Sequence, residues 1–394
     1  MITKLPIISS PVKFRDIARG VEAMRHGSPA ERFRGALGLF TGSKHICLTN
    51  SGISSFYILL KALSRISARR EVILPAYTAG SLVVAVRKAG LKPVLCDISL
   101  KDLGLDSASL TGIISDNTLA VVCVHSFGIN ARGIGRLRGE IPRGVFLIED
   151  CAQSMGSKTG PMRSGSFSDA AFFSFNGGKN LPLSGGGFIS TNDDRIAAGI
   201  REETGPIGEE SLACKLSAPL KALAFSIAAT PVIYGAAFGL ISRFKETAPP
   251  EDFTVKKMND FQAALGLTLL PKSEDIFSGR YQNGMALIGG LKNVDGLILP
   301  EIPGNDRYVF NRLPLLFKDP AKRGPAARKL WAIGVEASMM YLKPLHRMFD
   351  LGYAKDEFPN AVYCADRLLT LPTHSLVNGS AIARIVKVIK EVTA

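Results

Sequence analysis

Four polar side chains between residues 144 and 192 have types and spacing that can do chemistry. Asp150 and Gln153 follow an apolar run, Val145–Ile148; Ser174 sits near the end of a second, Ala170–Phe175; and Lys179 stands just beyond it in SFNGGKN. A third run, Gly187–Thr191, closes the stretch. Each run is short, rich in β-branched or aromatic residues and bounded by Gly, Ser, Asn or Asp, which predicts buried strands with the polar residues at their ends. A loop lysine is ordinarily a solvated charge. Lys179 differs in its company, because Gly177, Gly178 and the neutral Asn180 give it no obligatory ion-pair partner. An amine placed in this way can form and exchange a Schiff base with a carbonyl.

The pair EDCAQ and SFNGGKN, with Lys179 29 positions after Asp150, resembles the DegT-type (DegT/DnrJ/StrS) sugar aminotransferases. These are pyridoxal 5'-phosphate (PLP) enzymes of the aspartate aminotransferase fold, fold type I. The resemblance implies an α/β chain: a three-layer α-β-α arrangement around a mostly parallel sheet, followed by a smaller α+β C-terminal domain. It also implies that Lys179 carries the cofactor, Asp150 pairs with the pyridinium nitrogen, Gln153 lies by the ring and Ser174 hydrogen-bonds the phosphate. The chemistry asks for these types. The cofactor needs an exchangeable amine and a carboxylate that keeps its ring nitrogen protonated; its phosphate needs neutral donors and backbone N–H groups.

Stepping outward, the elements must carry these residues to one place. Helices are expected at about Phe14–Arg25 and Pro29–Phe40. The strand HICLT then runs into Ser51-Gly52-Ile53-Ser54 and an apolar-periodic helix. A glycine turn opening a helix is a generic anion cradle, because free N–H groups point outward and the helix dipole favours negative charge. On the resemblance, Ser51, Gly52 and Ile53 form the phosphate turn. Ile53 stands where the family usually has Thr, so only a backbone contact is expected there. Further strands are expected at Glu71–Pro75, in KPVLCDI and in TLAVVCV, with a helix at Ser81–Ala89. Tyr77 is the candidate to stack on the cofactor ring, since Ala79 occupies the family's usual aromatic position; an ordinary strand-end tyrosine is the alternative. His125 reads as a satisfied strand-end histidine. Strand–helix alternation from residue 45 to about 150 implies right-handed crossovers, a mostly parallel sheet and ligands beyond the strands' carboxyl ends. No GxGxxG opens the first strand–helix turn, which weighs against a Rossmann nucleotide fold.

Ala222–Ser242 holds 21 residues without a charge, flanked by Lys221, Arg243 and Lys245. That is long enough to span a bilayer. Pro231 and the abundant Gly, Ala, Ser and Thr argue instead for a buried helical hairpin, with a monotopic helix on a membrane surface as the second reading. The family pattern resumes in VKKMNDFQAALGLTLL, where the Asn that many members lend to a neighbouring subunit's phosphate is missing from Val255–Lys257. YLKPLHRMF and ADRLLTLPTH resemble C-terminal substrate-side motifs; His346 and His374 in them read as solvated or capped surface residues. The expected division is 1–250, a large PLP-binding domain with an apolar insert at about 205–250, and 251–394, the small domain.

The composition suits an enzyme with an ample core: 394 residues, 46% apolar and 21% charged. The formal charge of +14 fits anionic substrates such as nucleotide diphosphate sugars, an acidic membrane surface, or a merely basic exterior. No nucleic-acid-binding signature is present. Six scattered cysteines without a CxxC, no His/Cys cluster for a metal and no apolar N-terminal leader point to a cytoplasmic protein. The resulting expectation is a PLP-dependent aminotransferase moving an amino group from an amino acid such as L-glutamate to a nucleotide-linked keto-sugar, within polysaccharide or amino-sugar biosynthesis. The resemblance further implies a homodimer. The alternatives are a PLP-dependent sugar dehydratase, disfavoured because relatives with that chemistry replace the lysine by His, and a PLP-free binding or regulatory relative.

Overall fold

The computed structural model describes residues 3–241 and 249–394. Two helices, α1 (Phe14–Ala23) and α2 (Pro29–Thr41), precede the alternating part. There β1 (His45–Thr49), α3 (Gly52–Ile66), β2 (Glu71–Pro75), α4 (Ser81–Lys88), β3 (Lys92–Cys96), α5 (Ser107–Ile113), β4 (Thr118–Val124), α6 (Ile134–Glu140) and β5 (Phe146–Asp150) follow one another. A two-residue hairpin pair, β6 (Lys158–Thr159) and β7 (Met162–Arg163), leads to β8 (Ala170–Ser174), β9 (Gly187–Thr191) and α7 (Asp194–Thr204). The large sheet has the order β1-β9-β8-β5-β4-β2-β3. Strands β8, β5, β4, β2 and β3 pair in parallel, while β9 is antiparallel to both β1 and β8. The mostly parallel α/β sheet expected from the alternation is therefore present.

β8 shows how the sheet is held between layers. All five of its residues are buried, and its side chains alternate between the faces, as a pleated strand requires. Phe172 stacks on Phe56 of α3 at 4.8 Å. Phe173 turns to the other face and stacks on Phe188 at 4.2 Å, in the cluster that holds Phe33 of α2. A strand covered on both faces reads as a continuous apolar run, which is why these strands were legible. β5 continues two residues beyond its apolar run, because Glu149 and Asp150 pair with Cys123 and Val124 of β4.

The apolar insert forms two helices, α8 (Leu212–Ala228, 17 residues) and α9 (Pro231–Ile241, 11 residues). Pro231 cannot continue the ladder of α8 and opens α9 instead. Among the described residues no helix is long and apolar enough to cross a membrane. Ser242, Arg243 and Lys245, the end and basic flank of the expected insert, lie outside the described residues. α8 packs on α1 and on α10 (Asp260–Leu269). α9 is tied to the chain's start, where Lys4 N–H donates to Pro231 O at 2.9 Å, and Phe238 packs on Trp331 with ring centroids 3.8 Å apart.

α10 packs on α1 and α2 and places Phe261 and Leu265 in the core of the large sheet. A second core gathers α11 (Ser273–Leu291), β10 (Leu297–Ile298), β11 (Leu313–Phe317), α12 (Arg323–Ala332) and, beyond α13 (Leu345–Met348) and α14 (Pro359–Arg367), β12 (Leu368–Leu371) and α15 (Gly379–Thr393). Its sheet is antiparallel, in the order β10-β11-β12. All six cysteines are free thiols, four of them buried.

Candidate active site

The site is assembled from strand ends. α3 begins where Ser51 Oγ accepts the Ser54 N–H at 3.2 Å, with Ser54 Oγ 2.8 Å away. The first-turn N–H groups of Gly52 and Ile53 have no acceptor within the helix, and the dipole makes that end attractive to an anion. A Cβ on Gly52 would come within 2.8 Å of Ser174 Cβ. Glycine is therefore required for the end of β8 to bring the Ser174 hydroxyl against this turn. Ile53 packs its side chain into the core, leaving the backbone as its contribution. The segment carrying Val255–Lys257 runs beside the same turn, with Asn50 exchanging backbone and side-chain hydrogen bonds with Lys256 and Thr254 at 3.0–3.1 Å.

Lys179 is presented by a loop fixed from beneath. Gly178 sits at φ +80°, and a Cβ there would meet Ile8 Cγ2 at 2.9 Å; a side chain is excluded on both counts. Asn180 Nδ2 lies 3.0–3.1 Å from the carbonyls of Gln153, Met155 and Val309, and Asn311 Nδ2 donates to Gly178 O. From above, the ring of Phe225 in α8 lies against Gly177. Burial lowers the Lys179 ammonium to about 8; the Asp150 charge opposes that shift and the Arg312 charge adds to it. Asp150 is 7% exposed. Burial raises its pKa, opposed by the Ala152 N–H, which donates to Oδ1 at 2.9 Å, and by Lys179.

Gln153 links two loops: Oε1 accepts the Phe127 N–H at 3.0 Å and Nε2 donates to Tyr341 Oη at 3.2 Å. Tyr341 is thereby an aromatic of the site that reading the sequence missed, although it opens the YLKPLHRMF segment. Burial, and secondarily the Asp150 charge, push its hydroxyl up to about 12. Tyr77 supports it from behind. Its ring meets Tyr341 edge-on at 5.7 Å, its hydroxyl lies 3.0 Å from the Met340 and Tyr341 carbonyls, and it accepts the Tyr341 N–H at 2.8 Å. Arg312 and Arg280 were missed as well, because nothing in the residues beside an arginine marks where its side chain points.

His125 is satisfied as expected. Nδ1 accepts the Ala131 N–H at 3.1 Å, so Nε2 carries the proton to Glu149 at 2.8 Å. Glu149 also accepts from Gly165 N, Phe167 N and Ser168 Oγ at 2.7–2.9 Å, which accounts for a fully buried carboxylate beneath Asp150. His346 and His374 differ from their expected surface positions: they are 8% and 2% exposed. Each gives Nε2 to a backbone carbonyl, of Lys355 at 3.0 Å and of Pro6 at 2.8 Å. Residues distant in sequence cover them, which local polarity does not reveal. Burial holds His374 down at about 4.

The site thus unites Ser51, Gly52 and Ser174 as an anion cradle, and Lys179, Asp150, Gln153 and Tyr341 as an amine–carboxylate–amide–phenol group. Among known proteins, the DegT/DnrJ/EryC1/StrS aminotransferase family matches residues 12–390. The spore coat polysaccharide biosynthesis protein SpsC of Bacillus subtilis (strain 168) is 26% identical, over 98% of this chain and 96% of its own. A GDP-perosamine synthase of Caulobacter vibrioides is also 26% identical, over 91% of this chain and 89% of its own. A putative sugar aminotransferase of Streptococcus pneumoniae, Spr1654, solved in its PLP form, superposes with a TM-score of 0.80 over 99% of this chain and 98% of its own, at 18% identity. That last likeness establishes the fold.

Proposed function

The chain belongs to the DegT/DnrJ/EryC1/StrS aminotransferase family, and from that premise we propose that it is a PLP-dependent transaminase. In this reading the amino group comes from an amino acid, L-glutamate first among candidates, and goes to the keto carbon of a nucleotide-linked sugar destined for polysaccharide or amino-sugar synthesis. The names of its relatives, a perosamine synthase and a spore coat polysaccharide protein, support the substrate class. The observation that carries the reading is the partly covered Lys179 amine, lowered to about 8 by desolvation, facing the Asp150 carboxylate in the same site as the Gly52–Ser174 cradle.

The residues present fit PLP. Ser174, Ser51 and the first N–H groups of α3 would hold its phosphate, with a space that a Cβ on Gly52 would fill. Asp150 keeps Oδ2 without a protein donor among the described residues, ready for a ring N–H. When bound, PLP supplies a carbonyl carbon for amines and a ring that withdraws electrons from the substrate carbon bearing nitrogen.

The protein's own groups do the rest. A lysine lowered to about 8 by burial keeps a far larger neutral fraction at physiological pH than an ordinary lysine does, so its Nζ lone pair can attack a carbonyl. Once freed, the same Nζ, fixed by the loop under Phe225 and over Ile8, can take a proton from the substrate carbon and return it one position away. Gln153 holds the Phe127 backbone and the Tyr341 hydroxyl, and Tyr77 holds the Met340–Tyr341 backbone, around that space. A homodimer, and a division near residue 250 that lets the second sheet's unit close over substrate, belong to this proposal.

The test is spectroscopic. The purified protein given PLP should show a band near the visible edge that moves to shorter wavelength with L-glutamate. Lys179→Ala should lose both the band and amino transfer; a fully active variant would sink the assignment.

A further inference from the structure

α8 is apolar on the side that faces away from its own protein. The residues it buries are small, Ala218 and Ala222. Leu212, Leu216, Leu220 and Ile227 lie on the opposite side, and all four are exposed. At about 100° and 1.5 Å per residue they fall within an arc of about 80° and form a stripe about 22 Å long. Val232, the second residue of α9, is exposed as well. A helix that merely lines a protein surface carries its large apolar residues inward and polar ones outward. Single exposed leucines need no explanation, whereas a continuous row of them marks a surface that meets a partner.

The free charges around this stripe are mostly of one sign. From Ser211 to Ile241 the sequence holds Lys215 and Lys221 and no Asp or Glu. Glu209 and Glu210, just before α8, are engaged by Lys215 and by Asn259 Nδ2. Lys221 is exposed and, among the described residues, has no carboxylate within ion-pair distance. The same holds for Arg15 and Arg19 of α1, on which α8 packs, and for Arg25 just after it. Of the two acids in α1, Asp16 is buried against Lys272, which leaves Glu22. A second copy matches this face poorly. A two-fold contact sets a patch against itself, so these cations would meet a basic surface with few acids to receive them. An acidic bilayer supplies both missing parts, acyl chains for the leucines and phosphate headgroups for the cations.

We infer that α8 docks this chain on an acidic membrane surface, with its leucine stripe in the boundary between headgroups and acyl chains and Lys221 at headgroup level. No helix among the described residues is long and apolar enough to cross the bilayer, so the helix lies in its surface. The covered side of α8 keeps Phe225 against Gly177, and the docked helix therefore bears on the Lys179 loop. The inference goes beyond the transaminase reading and does not depend on it.

The full chain, given PLP, is floated at low salt with vesicles of phosphatidylglycerol and phosphatidylcholine in equal parts, and with phosphatidylcholine alone. It should rise with the acidic vesicles, stay behind with the neutral ones, and bind less as salt screens the headgroups. That comparison needs no variant to fold. Replacing Leu212, Leu216 and Leu220 together by Ser should weaken partition by about tenfold or more. Lys221→Gln should weaken it about fivefold, the share of one cation near such a surface. An unchanged PLP absorbance in each variant shows that the fold and the site are intact. Wild-type protein that stays behind with acidic vesicles, floats equally with both lipids, or floats no better than the triple variant overturns the inference. Protein that ignores vesicles but self-associates, and stops doing so in the triple variant, overturns it in favour of a second copy. Failure to take up PLP overturns the transaminase reading alone, because flotation is read on the protein itself.

Discussion

The large sheet and the α8–α9 helix pair are both apolar in sequence, and they use that character in opposite ways. In β8 every residue is buried, Phe172 against α3 and Phe173 against Phe188. In α8 only the side toward α1, α10 and the Lys179 loop is covered. Leu212, Leu216 and Leu220, four residues apart and so on one stripe, remain 70%, 68% and 67% exposed. Apolar composition thus predicts burial only where the topology supplies a partner on each side. The two regions meet at one place, where Phe225 rests on Gly177, two residues before Lys179.

The comparison breaks most visibly in the sheet. Phe173→Ala should cost about 3–5 kcal/mol, the range for a large aromatic removed from a core that cannot collapse. Denaturant unfolding checks it, through a lower midpoint with an unchanged slope. A cost below about 1 kcal/mol would mean that this face repacks, and that the sheet's runs are no more constrained than those of the helix pair.

How much of this was legible follows the same contrast. Strands covered on both faces, such as Phe146–Asp150 and Ala170–Ser174, read directly because their burial is written as continuous apolar runs. Asp150, Gln153, Ser174 and Lys179 read because their types sit at strand ends in a known order, and Gly52 because a glycine before a periodic helix has few other uses. Tyr341, Arg312 and Arg280 did not read. Each enters the site from the C-terminal half through contacts more than a hundred residues away in sequence from Lys179 or Asp150, and nothing local marks the direction of a side chain. Tyr77, the candidate to stack on the cofactor ring, bonds the 340–341 backbone, a task that depends on a segment 263 residues on. His374 looked exposed because its neighbours are polar, whereas the N-terminal segment at Pro6 covers it.

Phe225 tests whether the helix pair belongs to the site or merely sits beside it. Phe225→Ala should remove part of the roof over Gly177 while leaving the sheet intact. The expected stability loss is about 1–2 kcal/mol for a half-buried aromatic, together with weaker PLP retention on dialysis. Retention equal to wild type, at the same loss of stability, would confine α8 to a structural role.

The smallest effect is expected at the outer stripe, and it sharpens the contrast most. Replacing Leu212, Leu216 and Leu220 together by Ser removes three large apolar side chains that touch little of their own chain. Exposed substitutions of this kind each change stability by less than about 0.5 kcal/mol, so the triple variant should unfold at nearly the wild-type denaturant midpoint, although it deletes three apolar side chains where Phe173→Ala deletes one. Its PLP band should also be unchanged, because the covered side of α8, with Ala218, Ala222 and Phe225, is untouched. Unfolding measured at two protein concentrations completes the test. A midpoint that depends on concentration in the wild type and loses that dependence in the triple variant would mean that a second copy covers the stripe. The helix pair would then follow the rule of the sheet after all, with its missing layer supplied by another chain.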